Sequence, residues 1–250
     1  MRRLWLRWAL LIIFVLVLGV VFVNLGQWQL DRLAQRKERN AATIANEQKQ
    51  VQPYEQVFTH RITDADQWQR VEARGTFDAG HQFIVRYRSN NDADGYEVVT
   101  PLLTASGVVL VDRGFIPLKR GTAIPSVAPA PPAGEVIVVG HVRRNEKGRR
   151  AATTPVDNQM RLINSDAIAA TLPYEIKSGY IGLLTVQPEQ QGGFQPIPVP
   201  ELSEGPHFWY AVQWFMFTMI GVAGIVVFIR SDLRARREER EDAAEARVTV

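Results

Sequence analysis

Two long apolar runs, one near each end, constrain this chain more than any other feature. Trp8 to Gly26 is apolar except for Asn24, and Phe208 to Ile229 is apolar except for Gln213 and Thr218. Each run is long enough to cross ~30 Å of hydrocarbon at ~1.5 Å per residue. A helix buried in a soluble protein would show a polar face over such a length, and neither run does. Both read as transmembrane helices. The basic start Arg2, Arg3 and Arg7 would also suit a cleaved signal. However, the first run is longer than a signal core, and Phe22-Val23-Asn24-Leu25 offers a peptidase no pair of small residues. An uncleaved anchor is expected, with no organellar presequence before it, which points to a bacterial plasma membrane.

Basic residues beside the spans set the expected orientation. Arg2, Arg3 and Arg7 precede the first span, and Arg230, Arg234, Arg236 and Arg237 follow the second. No Lys or Arg occurs between Lys177 and Arg230. Arg32, Arg36, Lys37 and Arg39 pull the other way, but two spans force both termini onto one side, and the sum favours the inside. The expected organisation is a cytoplasmic start (1–7), a first span (8–28), an extracytoplasmic domain with a helical stalk (29–206), a second span (207–229) and a charged cytoplasmic tail (230–250).

The net charge of +3 is dispersed and lies largely beside the spans, so nucleic acid is not an expected partner. The absence of cysteine excludes disulfides, c-type heme attachment, iron–sulfur clusters and thiolate copper sites.

Between the spans, residues 31–52 are charged and free of Pro and Gly, and read as a stalk continuing the first helix until Pro53 stops it. Strand patterns follow over 69–77, 81–88, 96–103, 108–115, 135–143 and 180–186, with turn chemistry at 90–95 and at Ser106-Gly107. The proline-rich stretch 123–134 reads as an exposed loop, 145–155 as a mobile basic loop, and 187–206 as irregular chain. Residues 164–171 read as a short helix capped by Asn164 or Ser165. The tail over 232–246 reads as a solvated helix or a disordered segment. Open sheet edges invite aggregation, so the strands should close or be covered. The expected class is an α+β membrane protein, with two transmembrane helices flanking a mostly antiparallel β domain, barrel-like or a curved sheet.

Of the four histidines, none belongs to a metal motif. His60 and His81 fall in or near loops and His141 inside a strand, and each reads as an ordinary surface histidine. His207 differs by position, just after Pro206 at the mouth of the second span, where the helix dipole favours a neutral, ligating imidazole. On a helix it shares a face with Tyr210, Trp214 and Phe217. Two readings remain open, an interfacial aromatic belt that includes Trp28 and Trp209, or a slot for a flat hydrophobic cofactor. Gln213, nearly two turns into hydrocarbon, should face a partner helix rather than lipid. Asp112-Arg113-Gly114 reads as a charged pair and turn closing a strand. No acid–base pair, nucleophile elbow or phosphate loop occurs, so no enzymatic activity is expected.

Four segments in order carry a family resemblance. They are Gly26-x-Trp28-Gln29-Leu30-x-Arg32; Gly95-Tyr96-x-Val98-x-Thr100-Pro101-Leu102; Val109-Leu110-Val111-Asp112-Arg113-Gly114-Phe115-Ile116-Pro117; and His207-Phe208-Trp209-Tyr210-Ala211-x-x-Trp214. Together with the two spans they resemble the Surfeit locus protein 1 family of cytochrome c oxidase assembly factors, from about Gly26 to Ile229. Departures are Asp112 for the usual Asn, Phe115 for Trp, and Gly205-Pro206 for the Asn-Asn that often precedes the histidine. The resemblance implies a part in maturing the heme–copper oxidase, by helping heme a reach the catalytic subunit. It makes His207 the candidate ligand to heme iron, Tyr210, Trp214 and Trp28 the slot walls, and Arg113 a candidate propionate partner. The implied partners are the catalytic subunit, heme a synthase and membrane lipid. The alternative is a heme-free scaffold or accessory subunit that stabilises the oxidase, with Gln213 as a clamp.

Overall fold

The computed structural model describes residues 2–90, 92–119, 121–197, 199 and 202–248, with side chains from 5 to 242. Asn91 of the expected 90–95 turn, and 198, 200 and 201 of the expected irregular stretch, lie outside the described residues. The chain divides into a helical unit, Met1–Asn40 with Leu202–Val250, and a β unit, Ala41–Glu201.

The helical unit is built from α1 (Arg2–Glu47, which runs on into the β unit) and α5 (His207–Val248). At ~1.5 Å per residue both exceed a bilayer's hydrocarbon thickness. Both are long and apolar enough to cross a membrane. They pack antiparallel. Trp8 donates from Nε1 to Asp232 at 3.0 Å, Gly19 faces Thr218, and Phe22 meets Trp214 and Phe217 at 5.4 and 5.9 Å between ring centroids. Lipid tails offer no hydrophobic drive for helix association, so close packing supplies it. Gly26 is the tightest point: a Cβ there would stand 2.7 Å from the Phe215 ring. Asn24 and Thr218 return their polar hydrogens to Val20 O and Trp214 O, one turn back. This satisfies them without leaving the helix.

The β unit contains β1 (Gln52–Pro53), α2 (Tyr54–Val57), β2 (Arg70–Phe77), β3 (Phe83–Asn90), β4 (Ala93–Thr104), β5 (Gly107–Pro117), β6 (Glu135–Arg143), α3 (Arg150–Thr153), β7 (Gln159–Met160), α4 (Ser165–Ala169) and β8 (Ile176–Gln187). The sheet has eight strands in the order β1-β2-β6-β8-β5-β4-β3-β7, and β2 also pairs with β4. That extra pairing closes the ring β2-β6-β8-β5-β4. β4 makes it possible by dividing its length: residues 93–99 pair with β3, while Leu102–Thr104 pair with Phe77–Gly75. Gly75 sits on this seam, where a Cβ would lie 2.1 Å from Leu103 O, so only glycine lets the strands meet. The ladders are mostly antiparallel, but β5 and β8 run parallel.

Inward residues such as Val71, Phe77, Leu102, Val109, Val111, Val138 and Ile181 fill the ring, and Tyr54, Phe58 and Ile62 cover one opening. A second cluster, Phe83, Val85, Val99, Leu110, Ile163, Ile168 and Tyr180, packs on the opposite face of β4 and β5. Burial on both faces explains why β5 is buried without interruption from Val109 to Phe115.

Three expectations need correcting. β5 does not end at Asp112-Arg113-Gly114 but continues to Pro117, and Arg113 pairs with no carboxylate. The 145–155 stretch is anchored: Asn145 Oδ1 accepts from the Ser165 N–H and hydroxyl at 2.8 and 2.9 Å, and Glu146 N–H donates to Ile163 O. The proline-rich loop is partly a cover, with Ile124 and Ala128 packed on Ile84, Tyr96 and Val98. Asn164 caps α4 by accepting from Ala167 N–H, as the sequence predicts.

Candidate functional site

The helical unit holds His207 in a defined orientation. It is the first residue of α5, and its Nδ1 lies 2.8 Å from Gln29 Oε1 on α1. An amide oxygen only accepts, so Nδ1 carries the proton and donates it. Among the described residues Nε2 has no hydrogen-bond partner. This is the arrangement that fixes a ligating histidine: one ring nitrogen tied to a neighbour, the other bare. Gly205 lies beside the ring, in the left-handed region at φ +70° that favours glycine; a Cβ there would make ordinary contact, 3.4 Å from His207 Cδ2 and 3.6 Å from Nε2. Arg36 completes the neighbourhood, its Cζ 3.9 Å from that same Cβ position while Nη1 donates to Ser203 O.

The residues expected to wall a slot differ in their surroundings. Trp214 is half-buried against Phe22. Tyr210 and Trp28 are exposed, and Trp28 carries the Arg32 guanidinium 5.5 Å above its ring. Gln213 does not turn toward α1; it is exposed and makes no hydrogen bond among the described residues. Gln29 and Arg36 are the members of the site whose roles the sequence did not reveal. Gln29 was visible as part of a motif, but nothing in the spacing paired it with His207.

Arg113 belongs to the β unit, where it is 1% exposed. Its Nη1 donates to Gln82 Oε1 and Pro129 O, Nη2 to Ala130 O, and Nε to Gln190 Oε1. Phe194 stacks on the guanidinium at 4.6 Å. Burial pulls its pKa down to about 10. With four of its five N–H groups committed to the chain itself, Arg113 is built as an internal tie between β5 and the loops around it.

A buried charge cluster lies in the same unit. Arg88 Nε is 2.7 Å from Glu97, and its Nη2 is 2.8 Å from Glu146, which also accepts from Ile163 N–H. Asp112 is 1% exposed, with Gly114 N–H as its hydrogen-bond partner. Burial, then the neighbouring Glu97 carboxylate, pushes Asp112 well above the usual carboxylate range. Burial also raises Glu97, against the pull of Arg88. For Arg88, burial works against the charge, but Glu97 and Glu146 outweigh it and leave the pKa above its ordinary value. His141, expected at the surface, is buried against Trp68, and burial lowers its pKa. Surface positions do hold for His60, beside Asp66, and for His81, beside Asp78.

A family model described as the SURF1 family matches residues 16–219. The chain belongs to that family. Similar proteins include uncharacterised SURF1-like proteins of Mycobacterium bovis and Mycobacterium tuberculosis, each 28% identical over 242 residues, covering 94% of this chain and 87% of theirs. The match takes in both the Gln29 and the His207 segments of the family, the two halves of the hydrogen bond described above.

Proposed function

We propose that this chain is an assembly factor for the heme–copper cytochrome c oxidase, and that His207 carries heme a on its way to the catalytic subunit. The SURF1 family is one of oxidase assembly factors, not catalytic by name. The observation that supports the finer reading is the His207–Gln29 hydrogen bond, which leaves Nε2 without a partner among the described residues. A neutral imidazole nitrogen is a standard axial ligand to heme iron. Arg36, rather than Arg113, is the cation placed to meet a propionate. One protein ligand gives a weak, exchangeable complex, which suits a carrier that must release its cargo. In this reading the β unit lies outside a plasma membrane, both termini lie inside, and heme a synthase is the donor.

The test is the visible spectrum of the detergent-purified chain, produced with heme a synthesis active, beside His207→Ala and Gln29→Leu. The parent should show a Soret band that His207→Ala loses and that Gln29→Leu retains in weakened form. Equal heme in all three proteins would remove His207 from the role.

A second reading, a heme-free scaffold, is favoured by Gln213. An exposed amide at membrane depth is costly without a partner, and no partner exists within the described chain. A parent without heme, despite confirmed heme a supply, that still copurifies with oxidase subunits in a Gln213-dependent way would establish it.

A further inference from the structure

The β unit contains a cavity of about 540 Å³ around which Arg86, Arg149 and Arg161 converge. Among the described residues none of the three makes an ion pair. Asp157 is the one carboxylate in the lining, so three guanidiniums against it leave two positive charges. Arg86 Nη1 donates to Gln159 Oε1 at 3.2 Å, but its Nε is buried with no partner. A buried donor left unsatisfied is costly, and most are paired.

The backbone that builds the cavity is also unusual. The ladder between β3 and β4 is irregular between Arg86 and Arg88, and the intervening Tyr87 adopts φ +59°, a conformation disfavoured for an aromatic residue. The result is a tyrosine 65% exposed, with the Arg86 and Arg161 guanidiniums 5.3 and 4.6 Å from its ring centroid. The opposite wall turns tightly from Val156 to Gln159 through Asp157 and Asn158, both at positive φ. Strain held in place by surrounding structure is a pointer to function. Other arginines of the chain also leave Nε unpartnered, so the weight rests on three unpaired guanidiniums around one cavity and on the tyrosine held beside two of them.

We propose that this cavity binds an anion bearing two or more negative charges on phosphate or carboxylate groups, with a small apolar part resting on Ala152 and Met160. Guanidinium forks match the oxygen geometry of both groups, and the volume suits a small molecule. The site lies wholly in the β unit and does not depend on His207.

The experiment is calorimetric titration of the intact chain in neutral detergent with pyrophosphate. Saturable binding that weakens about tenfold or more in Arg149→Gln/Arg161→Gln, and that weakens with added salt, is expected. Both arginines are exposed and among the described residues make no side-chain hydrogen bond, Arg161 touching only the exposed Tyr87 ring, so the variant should fold normally. Arg74→Gln, an exposed arginine on β2 away from the cavity lining, should leave binding unchanged. Glycerol phosphate and short-chain phosphatidic acid then separate the sources. Tighter binding of the lipid assigns a headgroup, and equal binding assigns a soluble anion. Absent saturable binding of every probe, or an equal loss in Arg74→Gln, would overturn the proposal.

Discussion

Replacing Asp112 by asparagine should stabilise the β unit near neutral pH and flatten the dependence of its stability on pH. Asp112 is buried between β-strands, with Glu97 nearby and, among the described residues, only the Gly114 N–H as a hydrogen-bond partner. Its pKa therefore stands well above the ~3.9 of an unfolded chain. Between those two values the folded state keeps a proton that the unfolded state releases. The stabilisation linked to Asp112 is complete below the unfolded value and is lost as pH rises toward the native one. Inside that window one extra bound proton gives a slope of about 1.4 kcal/mol per pH unit. For a domain of this size that is roughly 3–5 °C in Tm per pH unit. Glu97, also raised, adds a slope of the same sign.

Asparagine keeps an Oδ1 acceptor for Gly114 N–H and carries no charge at any pH, and it is the residue the family pattern usually has here. The assay is a thermal scan of the intact chain in mild detergent, parent beside Asp112→Asn, from about pH 5 to about pH 8. The difference between the two Tm values should widen with pH across the window and then level off. A constant difference, or a variant less stable than the parent throughout, would refute the reasoning. Asp112 would then be ionised and held by Arg88 and Arg143, and burial would not be the dominant influence on it.

Three other outcomes follow from the same physics. Arg88→Met leaves Glu97 and Glu146 buried without their cation and should cost about 3–5 kcal/mol in urea unfolding. Gly75→Ala forces the β2–β4 seam open and should cost about 1–3 kcal/mol, with faster amide exchange at Leu102–Thr104 than elsewhere in the ring. Because the chain has no cysteine, single cysteines report cleanly on orientation. A membrane-impermeant maleimide applied to intact cells should label Ser126→Cys and spare Ala235→Cys, and the reverse pattern would invert the proposed topology.

Much of the fold was legible because it rests on local pattern. The spans show as long, nearly unbroken apolar runs, the strands as alternating ones, and α4 as a short helix with Asn164 or Ser165 at its start. What escaped depends on pairing at a distance. Alternation in β4 cannot show that its two halves serve different neighbours, although Gly75 in an otherwise strand-like run was a hint of close backbone approach. The parallel β5–β8 pair is separated by nearly sixty residues and leaves no local trace. Asp112 read as half of a charged pair at a turn, and Arg88, Glu97 and Glu146 carried no signal one at a time. Only their convergence makes them a network, and for Arg88, Glu97 and Asp112 the signal in the sequence was their placement within apolar strands.

The same distinction governs the helical site. A histidine at the start of a span and a glutamine at the end of another are each ordinary, and an aromatic face at spacings of three and seven residues looks like the more specific feature. The hydrogen bond between the histidine and the glutamine is the less expected of the two features. Aromatic side chains at a membrane boundary gain from lying in the interface whichever way they point, so their spacing carries little information about a slot. Gln29 and His207 have no comparable reason to meet. Each would be satisfied by water or headgroups on its own, and their 2.8 Å contact exists only because two antiparallel helices bring residues 178 apart to one level. An amide that orients an imidazole and leaves its second nitrogen bare does little for stability at a wet boundary, where the hydrogen bond only replaces one to water. In the proposed reading its effect falls on Nε2, which is why Gln29→Leu should alter the heme spectrum while leaving the fold nearly unchanged.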